Sequence, residues 1–245
     1  MKYPLSSKLL AEGIGTFALL FVGAGAILSF ESFQSTLDPG GVRLAIALAH
    51  GLTIGVMVSA MGHVSGAHFN PAVTLAMIVA RKIKVEAATW YILAQLLAAT
   101  LAAAALLAIY PASVWQQTDI GNPAPGSVAG VILNEGQVIL VEAIATFFLV
   151  WVIFGTAVDP KGSWNAVGGF AIGLTVTLDI LFAGPLTGAA MNPARSFGPT
   201  IVAFAAGSPT GTALWTNHLL YWVGPALGGL MAGGLYSGIY LRERP

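Results

Sequence analysis

Two tripeptides, Asn70-Pro71-Ala72 and Asn192-Pro193-Ala194, stand inside "SGAHFNPAVT" and "GAAMNPARSF", each between apolar stretches. Their chemistry is hydrogen bonding rather than bond making. An asparagine amide offers two N–H donors, asparagine is a good helix N-cap, and proline in the first turn leaves no N–H to satisfy. The tripeptides therefore read as two helix starts, each presenting amide donors and roughly half a positive charge to whatever lies in front of it. Glycine-rich stretches precede both, Gly62 to Phe69 and Gly184 to Met191, and are expected to run extended with their carbonyls as a ladder of acceptors. Gly66, Ala67, His68, Gly188 and Ala190 then line a narrow wet passage, with the Asn70 and Asn192 donors at its centre. A water molecule there gives its protons to the wall and accepts from both asparagines, while the positive helix ends oppose cations and protons.

The elements that must position these groups are membrane helices. Hydrophobic residues make up 56% of the 245-residue chain and charged residues only 8%, against about 25% in a soluble domain. Six stretches approach the roughly 20 apolar residues that a span needs: Leu9 to Phe30, Leu44 to Met61, Ala87 to Tyr110, Gln137 to Ala157, Ala166 to Ala183 and Asn217 to Tyr240. The first is too long for the core of a secretory signal. Pro71 to Ala80 and Pro193 to Ala206 reach only half-way across and read as half-helices. "AEGIGTFALLFVG" at Ala11 returns as "VEAIATFFLVWVI" at Val141, so Glu142 follows Glu12 by 130 residues, and the two asparagines are 122 apart. Each half holds three spans and a half-helix. An odd span count inverts the second half, so the half-helices enter from opposite faces. The fold class is thus an all-α membrane protein of six transmembrane helices and two re-entrant half-helices, one domain over 1–245. Its repeats cover about 8–110 and 137–240, with a linking loop at 111–136. Between the halves we place a short cytoplasmic linker, Asp159 to Gly162, and the longer external stretch Pro111 to Asn134. Lys2, Lys8, Arg81, Lys82, Lys84, Lys161, Arg242 and Arg244 share one side and only Arg43 lies in the opposite loops, so both termini face the cytoplasm.

Few polar residues remain for other chemistry. The chain has no cysteine, which excludes disulfides and thiolate catalysis. No nucleophile, base and orienting group can be assembled, so no enzyme, metal or cofactor is expected. Zero net charge removes any electrostatic case for nucleic acid. Glu12 and Glu142, placed symmetrically, read as structural carboxylates that accept from the backbone before each half-helix. Arg195 must find backbone carbonyls while keeping donors for a permeant. His68 is expected to line the passage, His63 either ties down its loop or faces the cytoplasm, and His218 is structural or interfacial. Asp179 reads as a hydrogen-bonded buried carboxyl.

From "AEGIGTF" through both Asn-Pro-Ala motifs to "NHLLYWVGP" the chain resembles the aquaporin and aquaglyceroporin (major intrinsic protein) family. The resemblance implies a right-handed six-helix bundle, a homotetramer with one pore per subunit, and a selectivity filter of His50, Ile180, Ala189 and Arg195. That set is similar to plant vacuolar-membrane (tonoplast) members, as are "AVDPKGS" and "NHLLYWVGP". Water-selective members commonly carry Phe and His where His50 and Ile180 stand. The implied function is a passive water channel that excludes protons and ions, with ammonia, hydrogen peroxide or urea as further solutes. A glycerol facilitator is the alternative, disfavoured because Ser196 stands where glycerol-conducting members carry Asp. A non-conducting junction protein is the alternative of another class. Lys161 and Ser163 lie in the loop that gates some relatives. The membrane is the vacuolar one in a plant and the inner one in a prokaryote. Since no thiol is present, mercurials should leave water flux through proteoliposomes unchanged; strong, reversible inhibition would contradict this reading.

Overall fold

The apolar stretches become helices because in hydrocarbon every backbone polar group must be paired within its own segment. In the computed structural model, which describes residues 3–31, 38–162 and 167–241, these are α1 (Leu5–Glu31), α2 (Pro39–Ser65), the short α3 (Pro71–Val79), α4 (Val85–Ile109), α5 (Ala112–Thr118), α6 (Glu135–Ile153), α7 (Gly168–Thr187), the short α8 (Pro193–Ala205), α9 (Gly211–Asn217) and α10 (Leu220–Ile239). Lys2, Ser163, Arg242 and Arg244 lie outside the described residues. Six stretches are long and apolar enough to cross a membrane, and side chains such as Leu97, Leu101, Phe148, Phe182 and Met231 point outward from them.

Local signals explain the ends. Asp38 accepts from Gly41 N ahead of Pro39 to start α2, and Asn134 and Gln137 form a reciprocal capping box on α6. Gly66 and Gly188 stop α2 and α7 in left-handed conformations, with φ of 91° and 78°. The helices therefore persist to Ser65 and Thr187, four residues further than the apolar runs indicate. This corrects the expectation that Gly62–Phe69 and Gly184–Met191 are extended throughout, since only 66–69 and 188–191 leave the helix before the asparagines. The linker Asp159–Gly162 follows a π-helical turn at Phe154–Val158 and leads to α7, so it lies inside the second half and not between the halves. The linking stretch is more ordered than its Pro, Gly and Ser content suggests. It carries α5, a 3-10 turn at Asp119–Gly121 and a small hairpin (Ser127–Val128 with Val131–Ile132), anchored by buried Trp115 and Ile120.

Packing crosses between the halves. α1 lies on α2 and α4, α6 on α7 and α10, and α2 meets α7. Each half-helix rests on a long helix of the other half: α3 on α10 over Gly229 and Gly233, and α8 on α4 with Gly198 against the Ala99 backbone. Glycines permit these approaches, as small residues do between helices in lipid. At the α2–α7 crossing a side-chain carbon on Gly173 would lie 2.8 Å from the Gly55 backbone. Gly173→Val should therefore destabilise the fold by about 1–3 kcal/mol, seen as a lower unfolding temperature in detergent. Gly238→Ala, where a side-chain carbon meets nothing within 4 Å, should be neutral or stabilise by about 0.5–1 kcal/mol.

Candidate functional site

The two short helices begin face to face. The Asn70 side-chain oxygen accepts from Ala72 N at 2.8 Å and the Asn192 oxygen from Ala194 N at 3.0 Å, so each asparagine caps its own half-helix. Each amide nitrogen crosses to the other half: Asn70 Nδ2 donates to Met191 O at 2.8 Å and Asn192 Nδ2 to Phe69 O at 2.9 Å. One hydrogen of each amide is used in this way and the other is left over. The innermost carbonyl of each expected ladder is thus an acceptor for the opposite asparagine.

The residues leading to the asparagines hold an unfavourable backbone. Ala67, Phe69, Ala189 and Met191 all have φ between 46° and 51°, a region costing about 1–3 kcal/mol for a non-glycine residue. What holds them is a set of hydrogen bonds repeated in both halves. Glu12 accepts from His68 N at 2.9 Å, Phe69 N at 2.7 Å, Ser65 Oγ at 2.7 Å and Gln95 Nε2 at 2.8 Å. Glu142 accepts from Ala190 N at 2.9 Å, Met191 N at 2.7 Å and Thr187 Oγ1 at 2.6 Å. Ser65 Oγ and Thr187 Oγ1 accept in turn from Ala67 N and Ala189 N. Tyr91 and Tyr221 donate to the last carbonyls of α2 and α7, Ser65 O and Thr187 O, each at 2.9 Å. Both glutamates are fully buried, and neither lines the two cavities described next.

A cavity of about 310 Å³ runs past this assembly, from Lys82, Ala157 and Val158 at one end, over Asn70 and Asn192, to His50, Ile180 and Arg195. A vestibule of about 550 Å³, lined also by Phe30, Arg43 and Pro185, lies beyond. His50, Ile180 and Arg195 line both spaces and so mark where they meet, while Ala189 faces the first only. Gly66, Ala67, His68 and Ala190 line the first and Gly188 the vestibule. Pro71, Ala72, Pro193 and Ala194 line neither; they are buried and build the helix starts.

The ring at the junction is oriented. His50 Nδ1 donates to Ile46 O at 2.9 Å, leaving Nε2 with a lone pair. Gly23 seats this ring, because a side-chain carbon there would overlap His50 Cδ2 and Nε2. Arg195 departs from expectation. It is 3% exposed, yet no hydrogen bond to a carbonyl holds its guanidinium among the described residues, and Nε and Nη1 are buried without a partner. α8 carries Arg195 at the rim of both spaces. Asp179 is a second correction. The side chain is buried in α7, but its Oδ2 has no partner among the described residues.

The other histidines are also placed. The Thr74 hydroxyl donates to Asn70 O at 3.0 Å, so its oxygen accepts from His68 Nδ1 at 3.1 Å; His68 lines the cavity and is held at once. His63 meets the Tyr3 ring edge-on. His218 accepts from Trp222 Nε1 at 2.7 Å and lies 3.4 Å from Ser196 Oγ. Sequence reasoning missed Ser65, Thr187, Gln95, Tyr91 and Gly23, and it read Tyr221 only as part of the water-channel pattern, not as the donor to Thr187 O. The repeat could have revealed several: Tyr221 follows Tyr91 by the same 130 residues that separate the glutamates, and Thr187 follows Ser65 by the 122 that separate the asparagines. No cluster of three or more His, Asp or Glu among the described residues could hold a metal ion. Glu142→Gln would turn a donor towards the Met191 or Ala190 N–H. It should cost about 1–3 kcal/mol, lower the unfolding temperature and reduce water permeability; unchanged permeability would mean the second loop is held otherwise.

The same architecture is found in known proteins. Over 235 residues the chain is 40% identical to aquaporin TIP4-4 of Zea mays, covering 96% of this chain and 86% of that one. It is 41% identical to the probable aquaporin TIP3-2 of Arabidopsis thaliana, over 93% of this chain and 81% of the relative. The X-ray structure of the aquaglyceroporin from Plasmodium falciparum superposes with a TM-score of 0.81 at 22% identity, covering 96% and 97% of the two chains, and so shares the fold. The family described as Major intrinsic protein matches residues 1–236. With this match and these relatives, the chain belongs to the major intrinsic protein family.

Proposed function

We propose that the protein is a passive water channel. The observation that carries this reading is the meeting of two cavities at His50, Ile180 and Arg195, on one side of paired asparagine amides. Relatives named as aquaporins support it over nearly the whole chain. At the centre, the spare hydrogens of Asn70 and Asn192 each donate to a passing water oxygen. That water's own hydrogens then point away along the file, so no continuous hydrogen-bonded wire carries a proton through. The half-charges of the two helix starts oppose cations at the same point.

Selectivity is set where the cavities meet. Arg195 brings its guanidinium to the lining and His50 Nε2 an acceptor, whereas Ile180 and Ala189 offer only apolar surface. An opening polar on one side and apolar on the other passes water and also ammonia, hydrogen peroxide or urea. Glycerol is disfavoured: Ser196 is fully buried with its hydroxyl donated to Pro193 O, so it adds nothing to the lining. Gly66, Ala67, His68, Gly188 and Ala190 line the route, and Glu12 and Glu142 hold it from behind. The protein works as a homotetramer with both termini cytoplasmic, in the vacuolar membrane of a plant or the inner membrane of a prokaryote.

Stopped-flow light scattering on proteoliposomes tests this, with water shrinkage compared to re-swelling in urea and glycerol and to proton leak. The expected result is fast water flux without proton leak and little glycerol entry. Ile180→His should keep water flux and reduce urea or ammonia entry. Absence of flux above empty liposomes would favour a non-conducting relative, and unchanged solute entry in Ile180→His would remove Ile180 from the filter.

A further inference from the structure

The turn joining α3 to α4 builds a second site of a different kind. Arg81 N donates to Ile78 O and Lys82 N to Met77 O, both at 2.9 Å, and Arg81 adopts the left-handed region with φ of 58°. This tight closure bunches the basic residues around one hollow of about 450 Å³, walled by Ile78, Arg81, Lys82, Ile83, Lys84 and Val85. None of the three cations is ion-paired or hydrogen-bonded through its side chain among the described residues, and all three are exposed. The nearest carboxylate in sequence, Glu86, does not line the hollow.

The hollow has two chemistries. Its rim is cationic and its floor aliphatic, and the helices on either side of the turn expose further apolar side chains, Val79 on α3 and Val85 and Trp90 on α4. A soluble anion would use only the rim. A phospholipid uses both, with phosphate on the cations and glycerol and upper acyl carbons on the aliphatic surface. Lys82 is also shared, since it lines the end of the central cavity beside Ala157 and Val158. Its ammonium cannot serve both places at once.

We propose that Arg81, Lys82 and Lys84 bind the phosphate of an anionic phospholipid headgroup, and that occupancy draws the Lys82 ammonium off the mouth of the central cavity. The lipid then acts as a cofactor of permeation. The effect on flux rests on the channel reading above, whereas the binding does not, so the two are measured apart.

Binding is read by native mass spectrometry of the purified protein in mixed phosphatidylglycerol and phosphatidylcholine. Preferential retention of phosphatidylglycerol is expected, weakened about fivefold for each cation removed, and thus strongly reduced in Arg81→Gln/Lys84→Gln. Water permeability is then followed in phosphatidylcholine vesicles of rising phosphatidylglycerol content, with empty vesicles subtracted. It should rise for the unmodified protein and stay flat for Arg81→Gln/Lys84→Gln, whose flux in pure phosphatidylcholine stays normal and shows it to be folded. Lys82→Gln should conduct without responding to the lipid. Equal retention of both lipids, or the same rise in the double variant, would overturn the proposal. Inorganic phosphate raising permeability in pure phosphatidylcholine as phosphatidylglycerol does would overturn the lipid as the source. Selective retention with no flux in any vesicle supports the site and defeats the channel reading instead.

Discussion

Two helices have to begin in the middle of a bilayer, and an unpaired backbone N–H there costs several kcal/mol. Most of the polar inventory answers that demand. Asn70 and Asn192 cap the helix starts, and Glu12 and Glu142 take the N–H groups just before them. The tyrosines on α4 and α10 take the carbonyls where α2 and α7 stop. Once these bonds are made, the spare amide hydrogens of Asn70 and Asn192 remain, and these two asparagines and Arg195 are among the polar residues that line the cavity. Function here uses what the satisfaction of the backbone leaves unspent.

The two halves solve the problem alike but not identically. Gln95 donates to both Glu12 and Thr74, tightening the first loop. At the corresponding distance along the second half stands Pro225, and Glu142 receives three donors instead of four. The second loop gains support from outside: the linking stretch brings Gly126 N to within 2.7 Å of Leu186 O, and Pro123 lies against Gly188. The half that carries Arg195 is therefore held partly by a segment belonging to neither repeat.

Much of this was legible in the sequence. Hydropathy gave six spans and two short runs, Asn-Pro marked both helix starts, and the 130-residue offset brought out the paired glutamates. Span ends were less legible because hydropathy tracks apolar side chains, whereas helix α2 runs on through Gly62, His63 and Ser65 until Gly66 stops it in a left-handed conformation. The orientation of polar groups was least legible. Arg195 was expected on carbonyls, but whether a donor and an acceptor meet is decided by rotamers and by the crossing of α8 over α4, which no spacing encodes. Asp179 shows the same limit: burial could be read from its span, partnership could not.

The reciprocal asparagine bonds also bear on how the chain reaches its native state. Asn70 needs the Met191 carbonyl, and Phe69 O accepts from an asparagine 123 residues further on. Three spans released first from the ribosome can insert and pair α1 with α2, yet α3 has no finished seat, because Gly229 and Gly233 of α10 come last. The first re-entrant loop must therefore wait, incompletely docked, until synthesis is almost over. Biogenesis ends in one cooperative closing step that sets both loops together, and such long-range closure is slow.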